Sequence, residues 1–190
     1  MAKDNCYCKP KKRIFIGGSS YNNAEKTELT KIAVALERNG YCTFLPQRDG
    51  LQIDKVVNAL INEGKTEEEA REEAVTIIFN YNVFNLLRSA AYIADVNGNS
   101  IDEGTIALAS IAFSSCMTVI LYKNDERTFS NNAELNPMLS GLKSAPIVRK
   151  IRDIPSTINQ ALPKRECKCM SDTVKDTMRA GAAINKSRFR

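Results

Sequence analysis

The sequence predicts a single α/β domain with a parallel sheet and helices on both faces. Three observations point there. Short β-rich runs alternate with longer runs of helical periodicity. Each strand-like run ends in small or polar residues that suit a turn. The length of 190 residues and an apolar share of 43% suit one sizeable core and leave little room for a second.

"RIFIGG" (13–18) is β-rich and ends in glycines, so it reads as the first strand. "NNAEKTELTKIAVALERNG" follows with an apolar stripe through Ile32 and Leu36, and Gly40 suits the position just past the helix end. "YCTFLP" (41–46) is a second strand stopped by Pro46, and "QRDG" is a polar turn after it. Residues 51–63 form a short amphipathic helix. The long helical run 65–90 opens with Thr66 and Glu69 at capping-box spacing, with further acids in its first turn. "AYIADV" (91–96) is a third, buried strand and "NGNSIDEG" a turn. "TIALASIAF" (105–113) carries no charge and is expected to be a buried helix. "MTVILY" (117–122) is the fourth strand, followed by a long polar loop. A short helix from Pro137, a strand at "APIVRK" (145–150) and a last helix near 153–161 complete the domain.

The net charge of +5 is unevenly spread: residues 1–13 carry +4, residues 164–190 carry +5, and the stretch between them carries −4. The chain thus divides into a basic tail (1–12), a mildly acidic domain (13–163) and a second basic tail (164–190). Such tails suit nucleic acid, an anionic membrane surface, an acidic partner or plain solvation. They lack the interleaved aromatics of a stacking platform. No run is long and apolar enough for a membrane span, and the charged N-terminus lacks the apolar core of a signal peptide, so a cytoplasmic protein is expected.

There are six cysteines and no histidine. Cys42 and Cys116 lie in apolar runs and read as small core residues. Cys6 with Cys8, and Cys167 with Cys169, form a C-x-C near each terminus. Four thiolates can close a tetrahedral zinc site if the termini meet, although paired zinc ligands favour wider spacing. Disulfides are a second use of these pairs, and free thiols on the tails a third. No cofactor motif is present, so no cofactor is expected.

In a doubly wound sheet, ligands bind beyond the carboxyl ends of the strands. That rule selects "GGSSYNN", "PQRDG", "NGNSIDEG" and the loop after the fourth strand. Gly17, Gly18, Ser19 and Ser20 allow close approach of a ligand to the backbone ahead of a helix N-terminus, with Tyr21 beside them. Gln47, Arg48 and Asp49 offer mixed donors and acceptors suited to the edge of a base, and Asp-Gly is also an ordinary turn pair. Asp102 and Glu103 stand at the mouth of a helix, where Asp102 suits an N-cap whatever else it does.

Together, "IFIGG…FLPQRDG…AYIADVNGNSIDEGTIALASIAF…NPMLSG" resembles the nucleoside 2-deoxyribosyltransferases from about residue 13 to about 160, in order. The resemblance implies a flavodoxin-like (Rossmann-like) α/β fold, dimers or larger oligomers, and transfer of 2-deoxyribose between bases through a covalent sugar–enzyme intermediate. Relatives in the superfamily hydrolyse the N-glycosidic bond of nucleotides. A carboxylate nucleophile and a second, proton-handling carboxyl suit an oxocarbenium-like transition state. By the resemblance Asp102 is the retained proton-handling acid, and the nucleophilic Glu falls six residues later, on Leu108. Asn82 and Asn97 stand where the family often has Asp. Gly17, Ser19, Tyr21, Gln47, Asp49, Asn82, Asn97, Gly104, Asn136 and Met138 are the ligand-binding candidates, Asn136 with the prospect of reaching a neighbouring subunit's site. Glu103 lies on the wrong side of the helix start to replace Leu108.

The expected function is therefore that of a catalytically degenerate family member. It would bind a nucleoside or nucleotide, serve in a homo-oligomer or larger assembly, or do both. The alternative is an active transferase or N-glycoside hydrolase using Asp102 with a water or a substitute carboxylate such as Asp49.

Overall fold

The structure, a computed structural model, describes residues 13–98 and 100–162 with Arg179, Ala182 and Ala183. The expectations for Cys6, Cys8, Cys167, Cys169 and the basic tails lie outside those residues.

Four strands, β1 (Arg13–Gly17), β2 (Cys42–Phe44), β3 (Ala91–Asp95) and β4 (Thr118–Tyr122), form one parallel sheet in the order β2-β1-β3-β4. The helices are α1 (Asn23–Arg38), α2 (Pro46–Asp49), α3 (Ile53–Asn62), α4 (Glu67–Leu87), α5 (Glu103–Ser114), α6 (Pro137–Ser140) and α7 (Ile154–Ala161), with a 3₁₀ turn at Ile151–Asp153. The chain leaves β1 toward one edge and returns to place β3 on its other side. The topological switch point therefore lies between the carboxyl ends of β1 and β3.

Alternation along the strands divides the core. Ile14, Ile16, Ile93 and Ile120 face α1 and α7, meeting Ile32, Leu36 and Ile158. Phe15, Tyr92, Ala94 and Val119 face the other side, where Leu86 of α4 and Ala109 and Ala112 of α5 cover them. Each fully buried Ile or Phe contributes about 1.5–3 kcal/mol. A separate small core of Val56, Leu60, Ala70 and Ala74 joins α3 to the first half of α4. Capping boxes start both long helices: Thr66 with Glu69 on α4, and Asn22 with Glu25 on α1. Gly40, at φ +79°, closes α1 in a conformation that favours glycine. Among the described residues no helix is long and apolar enough to cross a membrane.

Four expectations need correction. "QRDG" is not a loose turn: Pro46–Asp49 is one helical turn, with Pro46 at its start and Gly50 N donating to Pro46 O. Residues 145–150 form no strand. Pro146 lacks a donor, and only Val148 bridges to Tyr122. Helix α5 is charge-free after Glu103 yet not buried all round. Its inward stripe is small (Ala109, Ala112), while Ile106 and Phe113 face outward, and Val75 and Phe79 of neighbouring α4 are exposed as well. Cys42 and Cys116 are half-buried and disulfide-bonded rather than free core thiols, a state that a reducing compartment opposes.

Candidate functional site

The crevice end of the sheet is built by the loop after β1, the turn after β3 and the loop after β4. Gly17 ends β1 directly over the buried Tyr92. A Cβ on Gly17 would stand 2.0 Å from the Tyr92 hydroxyl, so only glycine fits. That hydroxyl donates to Thr105 O at 3.0 Å, tying the floor of the crevice to the first turn of α5. Burial holds the Tyr92 phenol far above its ordinary titration range.

Asp102 caps α5. Its Oδ2 accepts from Thr105 N and Thr105 Oγ1, both at 2.7 Å, and Gly104 lies close beside it. Its Oδ1 accepts from the Tyr21 hydroxyl at 3.3 Å. Tyr21 is 79% exposed, so this pair lies at the open surface of the crevice. The Tyr21 phenol is raised from its ordinary value, first by the charge of Asp102 and then by the hydrogen bond to it.

The N-terminus of α1 offers no free anion site. Glu25 Oε2 accepts from Ser19 Oγ at 2.6 Å, Tyr21 N at 2.9 Å and Asn22 N at 3.3 Å. These bonds, led by the one from Ser19, lower the Glu25 pKa. The chain's own carboxylate thus takes up the amides of Tyr21 and Asn22 at that terminus. The signal was present in the sequence as Asn22-x-x-Glu25, a second capping box.

On α2, Asp49 is held by its surroundings. Its Oδ2 accepts from Leu45 N at 2.9 Å and from Arg48 Nη2 at 3.0 Å, and its Oδ1 accepts from Arg48 Nε at 2.9 Å. Gln47 Nε2 donates to Lys26 O at 3.0 Å, which leaves Gln47 Oε1 buried with no hydrogen-bond partner. Asn82 on α4 likewise has a buried, unpartnered Oδ1. The Phe44 and Tyr81 rings, 6.0 Å apart, hold the end of β2 against α4 next to Asn82. An orphaned buried acceptor costs about 1–3 kcal/mol, so two of them among the ligand candidates call for donors that the described residues do not supply.

Asn97 is fully engaged in linking two loops. It donates from its N (3.1 Å) and its Nδ2 (2.6 Å) to Asp95 Oδ1, and its own Oδ1 accepts from Asn124 N (2.7 Å) and Asp125 N (3.1 Å). An Asp at 97 could not donate this side-chain bond to Asp95, which accounts for the amide. Asp95 was not among the sequence candidates, although an acid ending an apolar strand at a switch point is a visible signal. Burial raises its pKa to about 6; the Asn97 bonds oppose this, and the charges of Glu28 and Asp125 add to it.

Asn136 caps α6 by accepting from Met138 N at 2.9 Å, and Met138 is 82% exposed. Among the described residues no hydrogen bond joins either one to the Tyr21–Asp102 pair. Leu108 is half-buried against the apolar cluster under α5. No cluster of potential metal ligands exists among the described residues.

The fold has solved counterparts. A 2-deoxyribosyltransferase from the psychrotolerant bacterium Bacillus psychrosaccharolyticus superposes with a TM-score of 0.59 at 15% identity, covering 75% of this chain and 90% of that one. A conserved protein from Enterococcus faecalis V583 superposes with a TM-score of 0.55 at 17% identity, covering 78% and 97%. At such identities the likeness concerns the fold. No curated protein matches the sequence. The family model for nucleoside 2-deoxyribosyltransferase matches residues 14–174, and the chain belongs to that family.

Proposed function

We propose that this family member binds a nucleoside or nucleotide in the crevice between β1 and β3 and has lost base exchange. The carrying observation is Leu108. Six residues after the capping Asp102, where the resemblance puts the nucleophile, stands a side chain that cannot form a glycosyl ester. What is retained favours binding. Gln47 Oε1 and Asn82 Oδ1 need hydrogen-bond donors of the kind that sugar hydroxyls and base amines supply. Glu25 at the N-terminus of α1 favours the uncharged nucleoside over its 5′-phosphate.

A homo-oligomer completes the proposal. Ile106 of α5 and Val75 and Phe79 of α4 are exposed apolar side chains among the described residues, and a second copy or a larger assembly would cover them. One observation favours the second reading, hydrolysis of an N-glycosidic bond by water. Asp102 keeps its Oδ1 at the open crevice beside Tyr21, where it is placed to take a proton.

Thermal-shift measurements with 2′-deoxyadenosine, thymidine and their 5′-monophosphates test binding. Wild type should be stabilised, most by the nucleosides. Asn82→Leu, which removes an orphaned acceptor, should raise the unliganded melting temperature and cancel the ligand shift. A wild type that no probe stabilises would contradict the binding role.

A further inference from the structure

Two loops meet over the carboxyl ends of β3 and β4, and their hydrogen bonds form a closed set. Asp95, the last residue of β3, holds Asn97 through two bonds. Asn97 Oδ1 in turn receives the amides of Asn124 and Asp125, and Asp125 Oδ2 accepts from Gly98 N at 2.8 Å. Gly98 has φ +93°, so the turn needs glycine there to present its amide. The far side is anchored by Lys123, whose fully buried ammonium pairs with Asp125, and by Arg127, which donates to Val96 O at 3.0 Å. The turn fastened in this way runs on to Asp102.

We propose that Asp95 is a positioning residue: through Asn97 it latches the turn bearing Asp102 onto the loop after β4. As a device that sets the crevice for a nucleoside, the latch rests on the function proposed above; as a link between loops it stands on the hydrogen bonds alone. Neither Asp95 nor this link has a part in the double-displacement chemistry that the family resemblance implies.

The latch responds to pH. An ionised carboxylate accepts from Asn97 about twice as strongly as a neutral one. The groups facing Asp95 are Glu28 from α1, Tyr92 from β3, Tyr122 from β4, which donates to Glu28 at 2.7 Å, and Asp125 from the loop after β4, which pairs with Lys123. Arg127 and Arg149 lie behind Asp125. Burial first, and then the charges of Glu28 and Asp125, favour the protonated form, so Asp95 changes charge near pH 6 and the latch is tight above that pH and loose below it.

Amide hydrogen exchange on the full chain tests this at pH 5 and pH 7.5, read as protection factors so that intrinsic rates cancel. In wild type, protection at Gly98, Asn124 and Asp125 should fall about tenfold at the lower pH. Asp95→Asn keeps the fold and an acceptor but stays neutral. It should show the low protection at both pH values, while its urea midpoint at pH 7.5 rises because a desolvated charge is gone. A merely structural residue would not separate the two readouts. Asn97→Ala should lose protection at the same amides at both pH values. Unchanged protection in Asp95→Asn, a lowered urea midpoint in that variant, or a wild type with no pH step would each overturn the proposal. Failure of the nucleoside reading would show separately, as a wild type that no nucleoside stabilises, and the exchange comparison decides the latch in either case.

Discussion

Asp95 ends β3 and Asp102 caps α5, and their surroundings hold the two carboxyl groups in different ways. Asp102 lies at the mouth of a helix, where it caps α5 by accepting two hydrogen bonds from Thr105. Asp95 lies under the loop after β1, against Gly18, where a Cβ on the glycine would stand 2.8 Å from that of Asp95. Its two donors come from Asn97 and do not offset its desolvation. One acid therefore supports the fold, and the other costs stability when ionised. A carboxyl held at a cost at the switch point marks the region where positioning counts for more than stability.

The contrast fixes the sign of each substitution. The largest effect is expected at Asp95. Its folded pKa of about 6 lies above the ordinary 3.8, so the folded state holds the proton more tightly than the unfolded chain does. That stabilising contribution is complete below about pH 3.8 and is lost as pH rises through about 6. Asp95→Asn should therefore gain about 2–3 kcal/mol over wild type at pH 7.5, and the gain should vanish near pH 3.5. Urea unfolding of both proteins across that range checks it.

Asp102→Ala should act in the other direction, losing about 1–2 kcal/mol at pH 7.5 as the buried Thr105 loses its acceptor; Asp102→Asn, which still accepts, should lose less. The same denaturation series measures this, and a stabilised Asp102→Ala would break the comparison. Tyr21→Phe should change the urea midpoint too little to resolve, because the hydroxyl lies at the surface.

Much of the fold was legible because it is written locally. The stripe through Ile32 and Leu36 and the Thr66–Glu69 capping box name their helices within one or two turns of sequence. The apolar run 91–94 names a strand buried on both faces. What escaped depends on distant partners. The Asn97 link joins residues 27 and 28 positions apart, and no periodicity reports such a pairing. The outward side of α5 looks the same in sequence as its inward side, because both are uncharged; only the small size of Ala109 and Ala112 says which one packs on the sheet. At 145–150 the β-rich composition misled, since Pro146 has no N–H with which to extend the single bridge at Val148. Among the candidates, the N-cap at Asp102 was recognisable by type and position, whereas the need for glycine at 17 comes from the distant Tyr92. The Asn22-x-x-Glu25 capping box was visible in the sequence, and only the added bond from Ser19 to Glu25 needed the atoms around it.

The proposed loss of base exchange rests on Leu108, and an exchange assay tests it most directly. The purified protein is incubated with a 2′-deoxynucleoside and a different free base, and the products are separated by chromatography. No new deoxynucleoside should form, even over long incubation at high enzyme concentration. Formation of the exchanged deoxynucleoside by the wild-type chain would contradict the account, because a leucine at 108 leaves no carboxylate there to hold the sugar.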